Sequence, residues 1–301
     1  MKKIIGMIFL LAHLSIAVAA TQHQGKPMQD ALSQKLNTLA NTFPGKVGIY
    51  LHDLQSDEVI TLNADELFPM ASTFKVPYLV QLFRDHDAKV LSLNDTVTLQ
   101  ETDFRGGFGL LKHFAPGTRL TLKDLALMMI TISDNMATDI IINKVKPERV
   151  NATLETWHIQ PMQMQNTIQD LFVKLEKNPN YDPLDKSMEL TSPRAMGLLM
   201  EKIARCQVAS QESCDDIHFI LNQQILNARM PRFTSDLPQV KIAHKTGSTK
   251  WAINDVGFIQ REKRPAIILC IYTLKKDPKT PSHQAEELIG KLTRQIIEHY
   301  S

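Results

Sequence analysis

Strand-like segments stand near both ends of this chain, and helix-like segments fill the middle. Residues 47–51 and 59–62 are short runs rich in branched and aliphatic side chains, and the turn-forming stretch 55–57 between them predicts a hairpin. Three more runs of the same kind lie between residues 240 and 272. Because strands must pair with one another, a sheet in this protein has to be assembled from distant parts of the chain.

The middle of the chain contains a polar triplet between two apolar helical patterns. Thr121-Leu122-Lys123-Asp124 resembles a capping box and opens a helix that runs to Ile132. Ser133-Asp134-Asn135 then interrupts the pattern with residues that prefer caps and turns, and residues 136–145 resume it. The triplet is therefore predicted at a break between buried helices, where its side chains can point into a cleft. Further helices are predicted at residues 193–205 and 216–227 and from Ser282 onward.

The N-terminus is typical of a secretory signal peptide. Lys2 and Lys3 precede a short apolar run, and Ala17-Val18-Ala19 is an Ala-x-Ala cleavage site, which predicts a signal peptide at residues 1–19. We expect the mature protein to be secreted or periplasmic, with no stable membrane association after cleavage; a retained N-terminal anchor is the alternative. Loss of the two lysines takes the formal charge from +2 to 0, so nothing favours a nucleic-acid partner.

The cysteine content excludes a scaffold built from disulfides, and the histidine pattern bears on a metal site. The three cysteines are Cys206, Cys214 and Cys270. In an oxidising compartment the first two can form a bridge, which leaves Cys270 as a buried thiol in an apolar strand; three unpaired small hydrophobic residues are the alternative. The histidines show no His-x-x-x-His pair and no Cys/His cluster, so we expect no metal site and no cofactor.

Three short strings carry the candidate chemistry. They are Ser72-Thr73-Phe74-Lys75, Ser133-Asp134-Asn135 and Lys245-Thr246-Gly247-Ser248. A serine hydroxyl must lose its proton as it attacks, and a lysine three residues further along a helix lies on the same face and can accept that proton. A second lysine nearby lowers the pKa of the first. Each string alone could be an ordinary cap, turn or strand edge, but their joint order indicates an acylating serine enzyme.

In this order the strings resemble the serine β-lactamase and penicillin-binding superfamily, closest to its class A branch. The resemblance covers the chain from about Leu36 to the C-terminus. It implies an α/β (α+β) fold, in which an antiparallel sheet flanked by helices carries an inserted all-helical domain. The implied division is an α/β domain from residues 20–75 and 228–301, with the helical domain at 76–227. The reactive serine would lie in the cleft between them.

The resemblance also implies a role for each residue of the strings. Ser72 would be the nucleophile and Lys75 its base, while Ser133 relays a proton to the leaving nitrogen. The backbone N–H groups of Ser72 and Ser248 would form the oxyanion hole. The implied catalytic residues are Ser72, Lys75, Ser133 and Lys245, and the implied substrate-binding residues are Asn135, Thr246, Gly247, Ser248 and, as a possible helper, Arg232.

The resemblance fails in the loop between the second and third strings. Class A β-lactamases carry Glu-x-x-Leu-Asn there, and the glutamate activates the water that hydrolyses the acyl-enzyme. Counting forward from Ser133 places the expected motif at residues 168–172, which contain no glutamate. Counting back from residues 191–196, which also look like the family, reaches Glu176 instead. Glu176 is thus the best substitute base, with Gln169 and Asp170 weaker, and acylation is better supported than deacylation.

Three functions remain open at this point. The first is a secreted class A β-lactamase-like serine hydrolase that opens β-lactam amides through an acyl-serine. The second is a D-alanyl-D-alanine peptidase or another acyl hydrolase acting on a peptidoglycan-like substrate. The third is a slowly turning over penicillin-binding sensor or an inactive binding module. In each case we expect a monomer that recognises a small molecule.

Overall fold

The computed structural model describes residues 25–104 and 106–300, with side chains from Ala31 onward. The predicted signal peptide lies outside the described residues. The α-helices are α1 (Gly25–Ala40), α2 (Lys75–Asp87), α3 (Leu122–Thr131), α4 (Asn135–Val145), α5 (Pro147–Thr156), α6 (Ile168–Lys177), α7 (Pro193–Ala204), α8 (Gln211–Asn222) and α9 (Ser282–Tyr300). The strands are β1 (Gly45–Asp53), β2 (Glu58–Leu62), β3 (Phe68–Pro69), β4 (Thr96–Thr98), β5 (Arg119–Thr121), β6 (Leu190–Thr191), β7 (Val240–Ser248), β8 (Ile253–Arg261) and β9 (Arg264–Lys275).

The main sheet joins the two ends of the chain, as the sequence predicts. Its five strands lie in the order β2-β1-β9-β8-β7, and every neighbouring pair is antiparallel. The join is the β1–β9 ladder, in which Val47 is paired with Thr273 and Asp53 with Ile267. The predicted α/β (α+β) architecture with an antiparallel sheet is therefore confirmed. Where one domain ends and the other begins stays a prediction.

The two faces of the sheet bury different cores. Alternate residues of a strand point to opposite faces. On β9, Ile267, Leu269 and Ile271 therefore pack toward α1 and α9, whereas Cys270 and Tyr272 pack into the larger core that contains the central helices. The larger core surrounds α2, which is buried on almost all of its surface. The first turn of α2 is thus held rigidly between the sheet and the helices.

Helix α7, which lies within the predicted helical domain, packs against β1, β8 and β9 of the sheet. A Cβ atom at Gly197 would lie 2.0 Å from the Cδ1 atom of Tyr50, so α7 approaches β1 this closely only because a glycine stands there.

The local sequence predicted the ends of some helices correctly and missed others. The capping box at Thr121 begins α3 as predicted, with its hydroxyl accepting from the backbone N–H of Asp124. Helix α8, predicted at residues 216–227, instead begins after Ser210, which caps it, and ends at Asn222. Helix α6 was not predicted, although Thr167 caps it with a second box of the same kind.

The structure decides between the two predictions for the cysteines, a disulfide or three unpaired thiols. Cys206 and Cys214 form a disulfide, and Cys270 is a buried free thiol in β9. The disulfide also brings in His218, whose Nε2 atom lies 3.6 Å from the sulfur of Cys214. This cysteine and histidine cluster was missed from sequence. Because its two sulfurs are bonded to each other, neither is available as a thiolate ligand. Among the described helices, none is both long enough and apolar enough to cross a membrane.

Candidate active site

Ser72 stands in a tight turn directly before α2. Residues Ala71–Phe74 form one turn of 3-10 helix, and α2 continues from Lys75. Ala71 has a φ of 47°, a left-handed conformation that costs energy for a residue with a Cβ atom and that sets the direction of the turn. Ser72 is partly exposed and lines a cavity of about 460 Å³. Pro77 predicts a helix that starts at or just before Ser72; the 3-10 turn begins there, at Ala71, whereas the α-helix begins at Lys75 and keeps Pro77 in its first turn.

The Lys75 amine is enclosed by the second string. Its Nζ atom donates to the backbone oxygen of Ser133 at 2.8 Å, to the Ser133 hydroxyl at 3.1 Å and to Asn135 Oδ1 at 3.0 Å. The side chain is completely buried. Burial lowers the pKa of Lys75 to about 7, and the carboxylates of Asp134 and Asp139 oppose this shift. A lysine of this kind is partly neutral near neutral pH and can accept a proton.

The polar triplet occupies a strained turn between α3 and α4, as predicted. Ser133 has a φ of 58° and is buried. Asp134 faces away from Lys75: one carboxylate oxygen caps α4 at Ala137, and the other accepts the backbone N–H groups of Leu110 and Leu111. Asp134 therefore fixes the loop that lies over the cleft, which leaves Ser133 and Asn135 to contact the lysine.

The third string lies at the end of the edge strand β7. Lys245 is fully buried, and its amine donates to the Thr246 backbone oxygen at 2.9 Å. Burial, together with repulsion from Lys75 and Arg229, holds the pKa of Lys245 well below its ordinary value, although Asp255 opposes this. Two amines that repel each other in a buried site cannot easily both be charged. Protonation of either lysine therefore depends on the charge of whatever enters the site.

Gly247 allows β7 to pass close to the turn that carries Ser72. A Cβ atom at Gly247 would lie 2.8 Å from the Met70 backbone oxygen and 3.1 Å from atoms of Ala71 and Thr73. Ser248, the next residue, is exposed and lines the same cavity as Ser72. The predicted residues Ser72, Asn135 and Ser248 thus share one cavity, with Lys75, Ser133 and Lys245 buried behind it.

Arg232 is not placed at this cavity. It is exposed on a short 3-10 turn, donates to the Ala228 backbone oxygen and stacks on Phe233. Arg229, which sequence reasoning missed, stands in its place: it is buried and donates to the Gly247 backbone oxygen at 2.9 Å and to the Ser248 hydroxyl. Arg229 lies three residues before Arg232 in an irregular segment. No sequence pattern distinguished it, because only the fold brings it to β7.

One wall of the cavity is formed by a segment between the second and third strings, here called the wall segment (residues 160–189). Its helix α6 begins at Ile168, whose backbone N–H donates to Asp139 of α4 at 2.6 Å. Ile168, Leu171 and Phe172 line the cavity together with Ser72 and Asn135. Three of residues 168–172, the range that the count forward from Ser133 reaches, therefore line the cavity.

None of the predicted substitute bases lines the cavity. Glu176 is exposed near the end of α6. Asp170 is exposed and is engaged in the capping box with Thr167. Gln169 is partly exposed, and its backbone N–H contacts Asp139. The residues of α6 that line the cavity are apolar: Ile168, Leu171, Phe172 and Leu175.

Glu189 is the one carboxylate among the described residues that line the cavity, and sequence reasoning missed it. One of its carboxylate oxygens accepts from the backbone N–H groups of Gln165 and Asn166 and from the Asn166 side chain. Its backbone oxygen accepts from the N–H of Met70 at 2.9 Å. Burial raises the pKa of the Glu189 carboxyl, and these amide donors oppose the shift. The Glu189 side chain thus holds the two ends of the wall segment together, and its backbone oxygen links this segment to Met70, just before Ser72.

The assembled groups fit acyl transfer. The cavity presents a hydroxyl, and behind it lie an amine able to take a proton, a second hydroxyl hydrogen-bonded to that amine, and a second cationic group. Backbone N–H groups at a turn and at a strand end are suited to hold an oxyanion. The carboxylate among the described lining residues belongs to Glu189, and its second oxygen is buried without a hydrogen-bond partner.

Comparisons with known proteins agree with this geometry. A family described as "Beta-lactamase enzyme family" matches residues 31–300. A β-lactamase from Phocaeicola vulgatus is 24% identical over 298 residues, which cover 95% of this chain and 89% of that protein. A solved β-lactamase structure from Sphaerobacter thermophilus has a TM-score of 0.79 and 26% identity, covering 89% of this chain and 96% of that one.

A second solved structure, called PBP-A, is similar to the same degree. It has a TM-score of 0.76 and 26% identity, and it covers 90% of this chain and 96% of its own. A mutant of PBP-A, at 25% identity and a TM-score of 0.77, is described as an acyl-enzyme complex with penicillin G.

Proposed function

Because the chain belongs to the β-lactamase enzyme family, we propose that it is a serine hydrolase that opens β-lactam amides by acylation of Ser72, with deacylation as the slow step. The observation that carries this proposal is the buried Lys75 amine, bonded to Ser133 and Asn135 beside the cavity that Ser72 lines. The slow second step is supported by the apolar side chain of Ile168, which lines the cavity and opens residues 168–172, where the count forward from Ser133 predicts the family's water-activating glutamate.

In the proposed reaction Lys75 takes the proton of the Ser72 hydroxyl as its oxygen attacks the lactam carbonyl. The backbone N–H groups of Ser72 and Ser248 hold the oxyanion. The carbon–nitrogen bond of the ring then breaks, and the nitrogen takes a proton from the Ser133 hydroxyl, which is replaced by the proton held on Lys75. Hydrolysis of the ester by water completes the cycle and restores the Ser72 hydroxyl.

The carboxylate of a β-lactam gives Lys245 a role in the same reaction. An anion beside Lys245 favours its protonated form. Because the two lysines repel each other, a charged Lys245 favours the neutral form of Lys75. Substrate binding would therefore prepare the base. Arg229 supports this end of the site by orienting the Ser248 hydroxyl, a role that we assign to it in place of Arg232.

We also propose that the mature protein is exported to the periplasm or beyond, where it could contribute to antibiotic resistance. The signal-like residues 1–19 and the Cys206–Cys214 disulfide support this, since disulfides persist in oxidising compartments. We expect the purified mature chain to begin after Ala19, as measured by intact mass. A cytosolic protein that keeps its first residues would contradict this proposal.

The central experiment follows the mass of the protein after mixing with penicillin G. We expect one covalent adduct on Ser72 that outlasts the acylation step, because ester hydrolysis lacks a well-placed base. Ser72→Ala should form no adduct. Turnover without an accumulating adduct would contradict the slow second step. No adduct with any β-lactam, together with release of D-alanine from a peptide, would instead support the peptidase alternative.

The apolar wall can be tested by restoring a carboxylate. In Ile168→Glu we expect the acyl-enzyme to be hydrolysed at least ~10-fold faster than in the natural chain, since general-base catalysis typically contributes at least two orders of magnitude. Ile168→Gln is the matched control, because it buries a polar group of the same size that cannot accept the proton. Equal acyl-enzyme lifetimes in both variants and the natural chain would show that this position does not limit hydrolysis.

The pKa of Lys75 predicts a pH dependence of acylation. The base must be unprotonated, so the rate constant should rise about tenfold per pH unit below the pKa of about 7 and level off above it. Stopped-flow acylation by a chromogenic cephalosporin measures the profile over roughly two pH units on either side of that pKa. Lys75→Arg, which stays charged, should lose the step. A flat profile would exclude Lys75 as the base.

A further inference from the structure

The disulfide between Cys206 and Cys214 lies beside an imidazole. Cys214 and His218 stand one turn apart on α8, so their side chains share one face of that helix. The Nε2 atom of His218 is 3.6 Å from the Cys214 sulfur, and one ligand atom from each of the three residues lies within 4.8 Å of the other two. Two cysteines and one histidine form a ligand set typical of zinc sites in which a water takes the fourth position.

The distances around His218 fit a tetrahedral ion. Zinc binds sulfur at about 2.3 Å and imidazole nitrogen at about 2.0 Å, so tetrahedral geometry places the two ligand atoms roughly 3.5 Å apart. The Cys214 sulfur and the His218 Nε2 atom already have this separation, at 3.6 Å. The backbone oxygen of Ile203 lies 2.8 Å from that nitrogen and 3.7 Å from that sulfur, close enough to accept from a water in the fourth position. Cys206 is therefore the ligand that has to move when the disulfide opens.

The segment between Cys206 and α8 is held by contacts other than the disulfide. Arg84 of α2 donates to the Val208 backbone oxygen at 2.8 Å. The Asp87 carboxylate accepts the backbone N–H of Ser210 at 2.6 Å and its hydroxyl at 2.9 Å. These bonds remain when the disulfide is opened, so the two cysteines stay close together. Binding an ion at such a site requires little further ordering of the chain.

The imidazole is oriented, and the cluster is accessible. The His218 ring packs against the ring of Phe258 on β8, with 5.0 Å between their centroids. His218 and Cys206 are both partly exposed, whereas Cys214 is buried. The side-chain amide of Gln211 donates toward the Cys206 sulfur at 3.6 Å, and a donor at this position favours the thiolate form. A reductant and a metal ion can therefore reach the cluster from solvent.

From this arrangement we infer that a thiol or phosphine reductant, by opening the disulfide, converts Cys206, Cys214 and His218 into a zinc-binding site. The reductant gives two electrons to the disulfide, and each sulfur takes up a proton. Zinc then displaces both thiol protons to solvent and binds the Nε2 lone pair of His218, whose ring proton is carried on Nδ1. The two thiolates balance the charge of the ion.

The redox state of the disulfide thus decides whether the site exists. Under oxidising conditions the sulfurs are bonded to each other and the site is closed, and under reducing conditions it opens. The inference does not depend on the proposed acylation of Ser72, because no residue of α8 is among those described as lining that cavity.

The test measures zinc binding by the purified mature chain before and after reduction with a phosphine. Alkylation of free thiols followed by intact mass verifies that the disulfide has opened. We expect the reduced chain to bind one Zn²⁺ ion with a Kd of about 1 μM or below, and the oxidised chain at least ~100-fold more weakly. Competition with a chromophoric chelator gives both constants. Co²⁺ in place of zinc should show a thiolate-to-metal charge-transfer band in the reduced chain alone.

Two histidine variants separate this site from adventitious binding. His218→Ala should weaken zinc binding by the reduced chain at least ~10-fold, because loss of a ligand costs no less than loss of a group that supports one. His283→Ala is the matched control, since His283 is exposed on α9, away from the cysteines. It should leave the Kd unchanged. Cys206→Ser, which cannot form the disulfide, should bind zinc weakly with or without reductant.

Thermal unfolding shows whether the ion binds the folded chain. Zinc at about a hundredfold excess over its Kd should raise the Tm of the reduced chain by roughly 5 °C. An unchanged or lowered Tm would contradict a site formed by the fold. The inference would be overturned as well by absence of zinc binding after reduction, by equal binding in His218→Ala and His283→Ala, or by a disulfide that a phosphine cannot open in the folded chain.

Discussion

The enclosure of one amine by three oxygen atoms organises the centre of this molecule. Lys75 comes from the first turn of α2, whereas its partners come from the turn between α3 and α4. A buried ammonium without acceptors would be strongly destabilising, so the turn must keep its strained shape to supply them. The same contact fixes Ser133 and Asn135 beside the cavity. The position of the helices and the chemistry of the site are thus maintained by one set of hydrogen bonds.

The parts of the fold that local sequence determines were predictable. The hairpin of β1 and β2, the capping box of α3 and the polar break before α4 follow from backbone preferences within a few residues. The members of the three strings were predictable for a related reason, because each string needs particular residue types at fixed spacing. The strings come together because the strand pattern predicts a sheet that joins distant parts of the chain.

The predictions were wrong or incomplete at residues whose surroundings are set by tertiary contacts and not by the local sequence. Arg229 and Arg232 are both arginines in one irregular segment, and only the packing against β7 decides which is buried. The two counts toward the missing glutamate disagreed because the wall segment has its own length. Asp139 holds the start of α6 by accepting the backbone N–H groups of Ile168 and Gln169, a contact between α4 and α6 that no local pattern reveals.

The pairing of β1 with β9 also governs when the site can exist. Because synthesis runs from the N-terminus, β1 is made well before β9, the strand with which it pairs. Until then Gly247 has no fixed place beside Met70, and Ser72 lies on a segment whose supporting sheet is incomplete. The surroundings of Ser72 are therefore complete only after β9 has joined the sheet.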